Sequence, residues 1–232
     1  MTEQLSPLAL QALAVVEESG AIIGANHAHP HTIRHKGRID LVTETDIAVE
    51  AFLKERLATL APQAGFLAEE SAEDLSLPDT CWIIDPVDGT ANFAHQRMLW
   101  GISIAFAEGG VIRDGGVYMP ELGEMMITSG GRAFYSHVPG VPDADFLRSN
   151  MREMVPPEIH FDDAAVINLS QAMVKRGLFR GPNPVIAIGT CAYSCVELAL
   201  GKDAAYVTGC KIWDIAGSLP ALRILGFHGR TP

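Results

Sequence analysis

The sequence predicts an α/β (α+β) fold, a layered α/β sandwich of helices stacked on sheets. Three observations predict it. Strand-like apolar runs alternate with helical stretches, no internal repeat interrupts them, and 232 residues at 48 % hydrophobic and 19 % charged can bury a full core.

Taken in order, Ser6 and Pro7 make an N-cap and first-turn pair for a helix running to about Ile23. A second helix is expected over Thr45 to Leu60, with Val49, Phe52, Leu53, Leu57 and Leu60 on one face. Trp82, Ile83 and Ile84 read as a buried strand, and Pro86 biases Asp85 away from helix, so the backbone turns where the acids begin. Gly89 or Thr90 then starts a helix. Strand-like runs at WGISIAF (100–106), GGVYMP (115–120) and EMMITSG (124–130) read as a meander with Gly and Pro turns. Residues 136–158 hold Pro139, Pro142, Pro156 and Pro157 among polar residues, which places a boundary between halves at 1–135 and 136–232 of one compact unit. Beyond it come a strand at AAVINL, a helix near Ser170, a strand at VIAIG, a helix through VELALG and a strand at AAYVT.

The chemistry concentrates in DPVDGT, residues 85–90. Asp85, Asp88 and the Val87 carbonyl offer only oxygen, the donor set that Mg2+ prefers over His or Cys. Gly89 lets backbone approach a ligand, and free amides at a helix start suit a phosphate. The same residues are also ordinary turn formers.

The string DPVDGT closely resembles the signature of the inositol monophosphatase family, the Mg2+-dependent, lithium-sensitive phosphatases related to fructose bisphosphatases. Three further segments resemble that family in its order: LVTETD (41–46), FLAEES (66–71) and IWDIAGS (212–218). Each has a plain structural reading beside it. Thr43 and Asp46 form a T-x-x-D capping box, Glu69 and Glu70 suit a solvated helix start, and Asp214 suits a helix N-cap. The resemblance runs from about Thr32 to Phe227. It implies the sandwich of the inositol monophosphatase and fructose bisphosphatase type, and that Glu69, Asp85, the Val87 carbonyl, Asp88 and Asp214 hold two or three Mg2+ ions. It further implies that Asp46 and Thr90, with Glu69, serve catalysis by orienting and deprotonating an attacking water. Gly89 and Thr90 amides would hold phosphate oxygens, and Asp88, Thr190, Cys191, Thr208 and Asp214 would line the substrate.

The implied reaction is hydrolysis of a small-molecule phosphomonoester, an inositol phosphate or related polyol or sugar phosphate. Histidinol phosphate and 3'(2'),5'-bisphosphate nucleotides are the alternative substrates. Inositol-preferring members carry an acid seven positions before the WD aspartate, where this chain has Val207, which accepts no hydroxyl hydrogen bond. A reading of another class is a non-catalytic regulatory protein on the same scaffold; the retained acids argue against it, since mutually repelling carboxylates are costly to keep together. After WDxAG the family continues into further strands, whereas this chain reads SLPALRILGFHGRTP. The expectation is a truncated product or a trimmed fold lacking C-terminal strands, with Pro220 removing a helical hydrogen bond. A homodimer is expected from the family alone.

A formal net charge of −11 argues against sequence-independent nucleic-acid binding. No run approaches the roughly 18 consecutive apolar residues of a membrane span, and MTEQLSPLAL lacks signal-peptide character, so a cytoplasmic location is expected. Cys81, Cys191, Cys195 and Cys210 form no CxxC pair and read as buried thiols. His27, His29, His31 and His35 lie in a Pro-containing polar segment that reads as a solvent-exposed loop, and by resemblance this region, with Lys36, leads into a mobile loop near the phosphate.

Overall fold

Continuous apolar character makes Thr80–Asp88 (β4) a strand buried on both faces. Trp82 and Ile84 pack to one side and Cys81 and Ile83 to the other, as the two-residue period of a strand requires. The computed structural model describes residues 5–27, 33–35, 41–73, 76–138, 149–177 and 179–229. His29, His31, Lys36, Pro139 and Pro142 lie outside the described residues.

A short antiparallel pair, β1 (Ile33–His35) and β2 (Leu41–Thr43), places His35 at a strand end instead of in a loop, and β4 belongs to a separate seven-stranded sheet. It pairs in parallel with β3 (Gly65–Ala68) and antiparallel with β5 (Gly101–Glu108). An antiparallel meander then runs through β6 (Val111–Met119), β7 (Glu124–Ser129), β8 (Arg132–His137) and β9 (Arg152–Glu153). The sheet thus runs across residue 135. Gly123, at φ 62°, closes the single 3-10 turn Pro120–Leu122 between β6 and β7.

One face is covered by α1 (Pro7–His27) and α2 (Glu44–Leu60). Leu13, Val16, Ile23, Val49, Leu53 and Leu57 pack with Trp82, Ile84, Ile102 and Ile104, and Phe52 and Leu60 flank them, which is the apolar face expected of α2. Ser6 caps α1, its Oγ accepting from the Ala9 amide at 3.2 Å. α1 runs four residues beyond the expected end at Ile23. It is also long and apolar enough by composition to cross a membrane, which corrects the expectation that no segment approaches a span; here its buried face packs on α2 and the sheet as a core helix.

The opposite face carries α5 (Cys191–Ala199), α6 (Ile212–Ala216) and α7 (Leu219–Ile224), which meet Val117, Met119, Met126, Ala105 and Ala107. α6 approaches the sheet at backbone distance: a Cβ on Gly217 would lie 2.5 Å from the Gly116 carbonyl and 2.6 Å from Ser103 Oγ. Ser103 Oγ donates to the Trp213 carbonyl at 3.2 Å and accepts from the Gly217 amide at 3.3 Å. Pro220 sits in the first turn of α7, where its missing N–H has no intrahelical partner to lose, so the expected helical cost does not arise. Beyond these helices lies a parallel sheet ordered β11 (Val185–Ile186), β10 (Ile167–Leu169) and β12 (Ala205–Val207). Ser170 caps α4 (Gln171–Arg176) at the end of β10, where a helix is expected. The layers therefore alternate helix, sheet, helix, sheet, as the sequence predicts.

His27 departs from its expected place. It ends α1 buried, stacks on Phe93 with centroids 5.1 Å apart, lies 5.5 Å from Trp100, and brings Nδ1 within 3.1 Å of Glu121 Oε1. The helix extends just far enough to carry this ring over the aromatic pair instead of into solvent.

Candidate active site

The carboxyl end of β4 opens a cleft of about 300 Å3 whose walls are contributed by distant parts of the chain. Glu69 and Asp85 come from the ends of the parallel pair β3 and β4, while Asp214 comes from the first turn of α6. Their carboxylate oxygens lie within 4.8 Å of one another. Glu69 follows β3 in a turn, not a helix start; its amide donates to the Ile84 carbonyl at 3.1 Å, and the next amide, of Glu70, donates to buried Glu50 Oε2 at 2.7 Å. Asp214 is not an N-cap but reaches back from inside the helix, accepting from the Lys211 amide at 2.7 Å.

The electrostatics follow from this crowding. Burial, followed by repulsion from Glu69, Asp88 and Asp214, pushes the Asp85 carboxyl well above the ordinary carboxylate range. Burial and the Asp88 charge push Asp214 up to about 7. An all-oxygen cluster whose members resist ionising together fits a hard divalent cation, whose charge removes the conflict.

Asp88 is three residues from Asp85 yet is differently held. Thr190 Oγ1 donates to Oδ2, the Ala192 amide donates to the same oxygen at 2.6 Å, and the Cys191 amide donates to Oδ1 at 3.2 Å. These groups form the start of α5, so the strand end and the helix end are joined through one side chain. Burial still raises the Asp88 carboxyl, with the Thr190, Ala192, Cys191 and Gly89 donors opposing it.

Gly89 turns the chain between Asp88 and α3 (Thr90–Ala94) at φ 88°, and a Cβ there would sit 2.9 Å from the Leu99 carbonyl. That turn aims Thr90 at Asp46. Thr90 Oγ1 lies 3.2 Å from Asp46 Oδ1 and 3.0 Å from the Val87 carbonyl. Asp46 Oδ2 accepts from the Thr43 amide at 2.9 Å and from the Thr43 hydroxyl, so the capping box and the approach to the cleft use opposite oxygens of one carboxylate. Burial raises Asp46 above its ordinary value, opposed by the Thr43 and Thr90 hydrogen bonds.

Glu69, Asp85, Val87, Asp88, Gly89, Thr90, Thr190, Cys191, Thr208 and Asp214 all line this cleft, and Asp46 adjoins it through Thr90. Sequence reasoning missed Ser170, Gln171 and Tyr206 on its far wall. The available signal was the position of Ser170 and Gln171 just beyond the carboxyl end of a parallel strand, where ligands of open α/β sheets gather. Val207 lies outside the lining and is 40 % exposed. The four cysteines are free thiols, with Cys191 and Cys210 in the cleft wall.

Comparison with known proteins agrees with this geometry. An inositol monophosphatase of Dictyostelium discoideum is 32 % identical over 215 residues, covering 89 % of this chain and 78 % of that protein. Human inositol monophosphatase 2 is 30 % identical over 197 residues, covering 81 % and 67 % respectively. A solved IMPase structure from Thermotoga maritima shares the fold, with a TM-score of 0.76 at 23 % identity over 92 % of this chain and 81 % of its own. The family model described as "Inositol monophosphatase family" matches residues 4–226. With that match over nearly its whole length and an oxygen-lined acidic cleft at the shared motifs, the chain belongs to the inositol monophosphatase family of phosphoric monoester hydrolases.

Proposed function

We propose that the protein uses Mg2+ to hydrolyse a small soluble phosphomonoester, an inositol phosphate or related polyol or sugar phosphate. The observation that carries this reading is the convergence of Glu69, Asp85 and Asp214 beside the Thr90–Asp46 pair in one cleft. Glu69, Asp85, the Val87 carbonyl, Asp88 and Asp214 would hold two or three ions. When bound there, Mg2+ supplies Lewis acidity, neutralising phosphoryl oxygens and acidifying water. A solved IMPase/NADP phosphatase of the same fold is complexed with Mg2+ and phosphate, which supports the choice of ion.

Thr90 orients the attacking water. Its hydroxyl takes a proton from that water as its own passes to Asp46 Oδ1, whose raised pKa makes it a better acceptor than an exposed aspartate. Gly89 and Thr90 amides hold phosphate oxygens, and Ser170, Gln171, Thr190 and Thr208 face the leaving alcohol. Residues 1–135 and 136–232 are read as two halves of one catalytic unit, the second adding Asp214 and the grip on Asp88. A cytoplasmic homodimer is the assembly expected of this reading.

The test is phosphate release from inositol 1-phosphate, histidinol phosphate, adenosine 3',5'-bisphosphate and fructose 1,6-bisphosphate, with and without Mg2+. Turnover of inositol 1-phosphate that requires Mg2+ is expected to exceed that of the bisphosphates. A folded protein that binds Mg2+ and releases no phosphate from any of the four would reject the reading.

A further inference from the structure

We propose that Glu124 and Tyr193 are positioning residues for Asp88, acting through the first turn of α5. The inference rests on the metal-site reading above, and its test separates the two. Glu124 opens β7 and is 5 % exposed, a depth at which a carboxylate needs partners. It has two. Tyr135 Oη on β8 donates to Oε2 at 2.8 Å, and Tyr193 Oη on α5 donates to Oε1 at 3.3 Å.

The bonds do different work. Tyr135 ties Glu124 to a neighbouring strand of the same sheet, whereas Tyr193 ties the sheet to the helix that grips the cleft. From Tyr193 the connection continues without a gap. Its amide donates to Thr190 Oγ1 at 3.2 Å, and Thr190 Oγ1 in turn donates to Asp88 Oδ2, beside the amides of Cys191 and Ala192. Three of the donors that hold Asp88 therefore move with the first turn of α5, and a rotation of that helix about its axis would turn them all from the carboxylate.

The Tyr193 tether, one turn in and aimed at a fixed strand, opposes that rotation. Glu197 also adjoins Tyr193, but it rides on the same helix and is bound by Lys202 at 2.6 Å, so it cannot fix the helix against the sheet. Burial and the neighbouring acids push both phenols above their ordinary range, which keeps them hydrogen-bond donors at neutral pH.

Tyr193→Phe and Tyr135→Phe each remove one hydroxyl from the same carboxylate, and comparing them isolates positioning from stability. In metal-free protein, Tyr193→Phe is expected to speed hydrogen exchange at the Cys191 and Ala192 amides by about tenfold, the loss of one hydrogen bond to a charged group. Its Mg2+ dissociation constant by calorimetry rises several-fold and kcat falls with KM for the phosphate ester unchanged. Tyr135→Phe lowers the melting temperature comparably but leaves exchange at those amides and Mg2+ affinity alone. Unchanged exchange in Tyr193→Phe, or equal acceleration in Tyr135→Phe, overturns the proposal. If wild-type protein binds no Mg2+, the metal reading fails by itself, and the exchange comparison still decides what holds Asp88.

Discussion

Asp85 and Asp88 occupy the same strand end, three residues apart, and their surroundings are opposite. Asp85 faces Glu69 and Asp214, a corner made of acids, while Asp88 faces Thr190 and the opening amides of α5, a corner made of donors. One corner gathers negative charge, to which Asp88 adds; the other supplies Asp88 with hydrogen-bond donors from the chain itself. The difference teaches that two aspartates of one motif carry different structural debts, and substitution should separate them.

The largest expected effect comes from breaking the acidic corner. Asp85→Asn keeps shape and the acceptor for the Val87 amide but removes charge, and Mg2+-dependent phosphate release should fall by about 1,000-fold or more. At pH 8 without metal the same variant should melt higher than wild type, because one source of repulsion is gone. A variant that loses activity and also melts lower would contradict the picture of an acid corner in conflict.

The donor corner predicts the opposite sign for stability. Asp88→Ala strands the Thr190 hydroxyl and two buried amides, and chemical denaturation without metal should register a loss of about 3 kcal/mol. Gly89→Ala sharpens the comparison from between the two corners: with φ 88° and the Leu99 carbonyl in the way, it should cost about 2 kcal/mol and weaken phosphate binding through displaced Thr90.

The smallest expected effect is a pH dependence. Asp214 has its pKa raised from 3.8 to about 7 in the fold, so the folded state holds that proton to higher pH than the unfolded chain. The associated stabilisation is complete below the unfolded value and is lost as pH rises through about 7. Metal-free melting temperature should therefore fall by a few degrees between about pH 4 and about pH 7, while the rise produced by Mg2+ grows over that window as cation replaces proton. A Mg2+ response of constant size across it would count against an acid corner that titrates in this range.

The single acids of the cleft are legible in sequence because their turns are local, whereas the meeting of Glu69, Asp85 and Asp214 from three separate elements is not. Proline follows Asp85 and glycine follows Asp88, a capping pattern locates Asp46, and turn chemistry at a strand end can be read without knowing what lies opposite. The helix faces of α2 and the meander are legible for the same reason, since period and turn residues act over short spans. The donor corner is not local. Asp88 meets Thr190, Cys191 and Ala192 across more than 100 residues, and nothing near Asp88 specifies which helix will arrive. Likewise, the polar composition around His27 suggests water, and only the stacking of Phe93 and Trp100 beneath the end of α1 explains its burial. Pro220 reads as a breaker until the helix start is known, because its cost depends on position within the first turn.

The backbone contact of Gly217 with β5 and β6 has a consequence for ion size. Asp214 stands three residues before that glycine, on a helix that rests on main-chain atoms and so has little slack to settle closer to the sheet. The span between Asp214 and Asp85 is consequently limited by a nonbonded main-chain contact, in the manner of a jaw against a stop. Mg2+ demands oxygen distances of about 2.1 Å and tolerates little deviation, whereas Ca2+ accepts about 2.4 Å with looser geometry. A single methyl group at Gly217 would meet the Gly116 carbonyl and push Asp214 away from Asp85, favouring a larger divalent cation although no ligand residue had been changed.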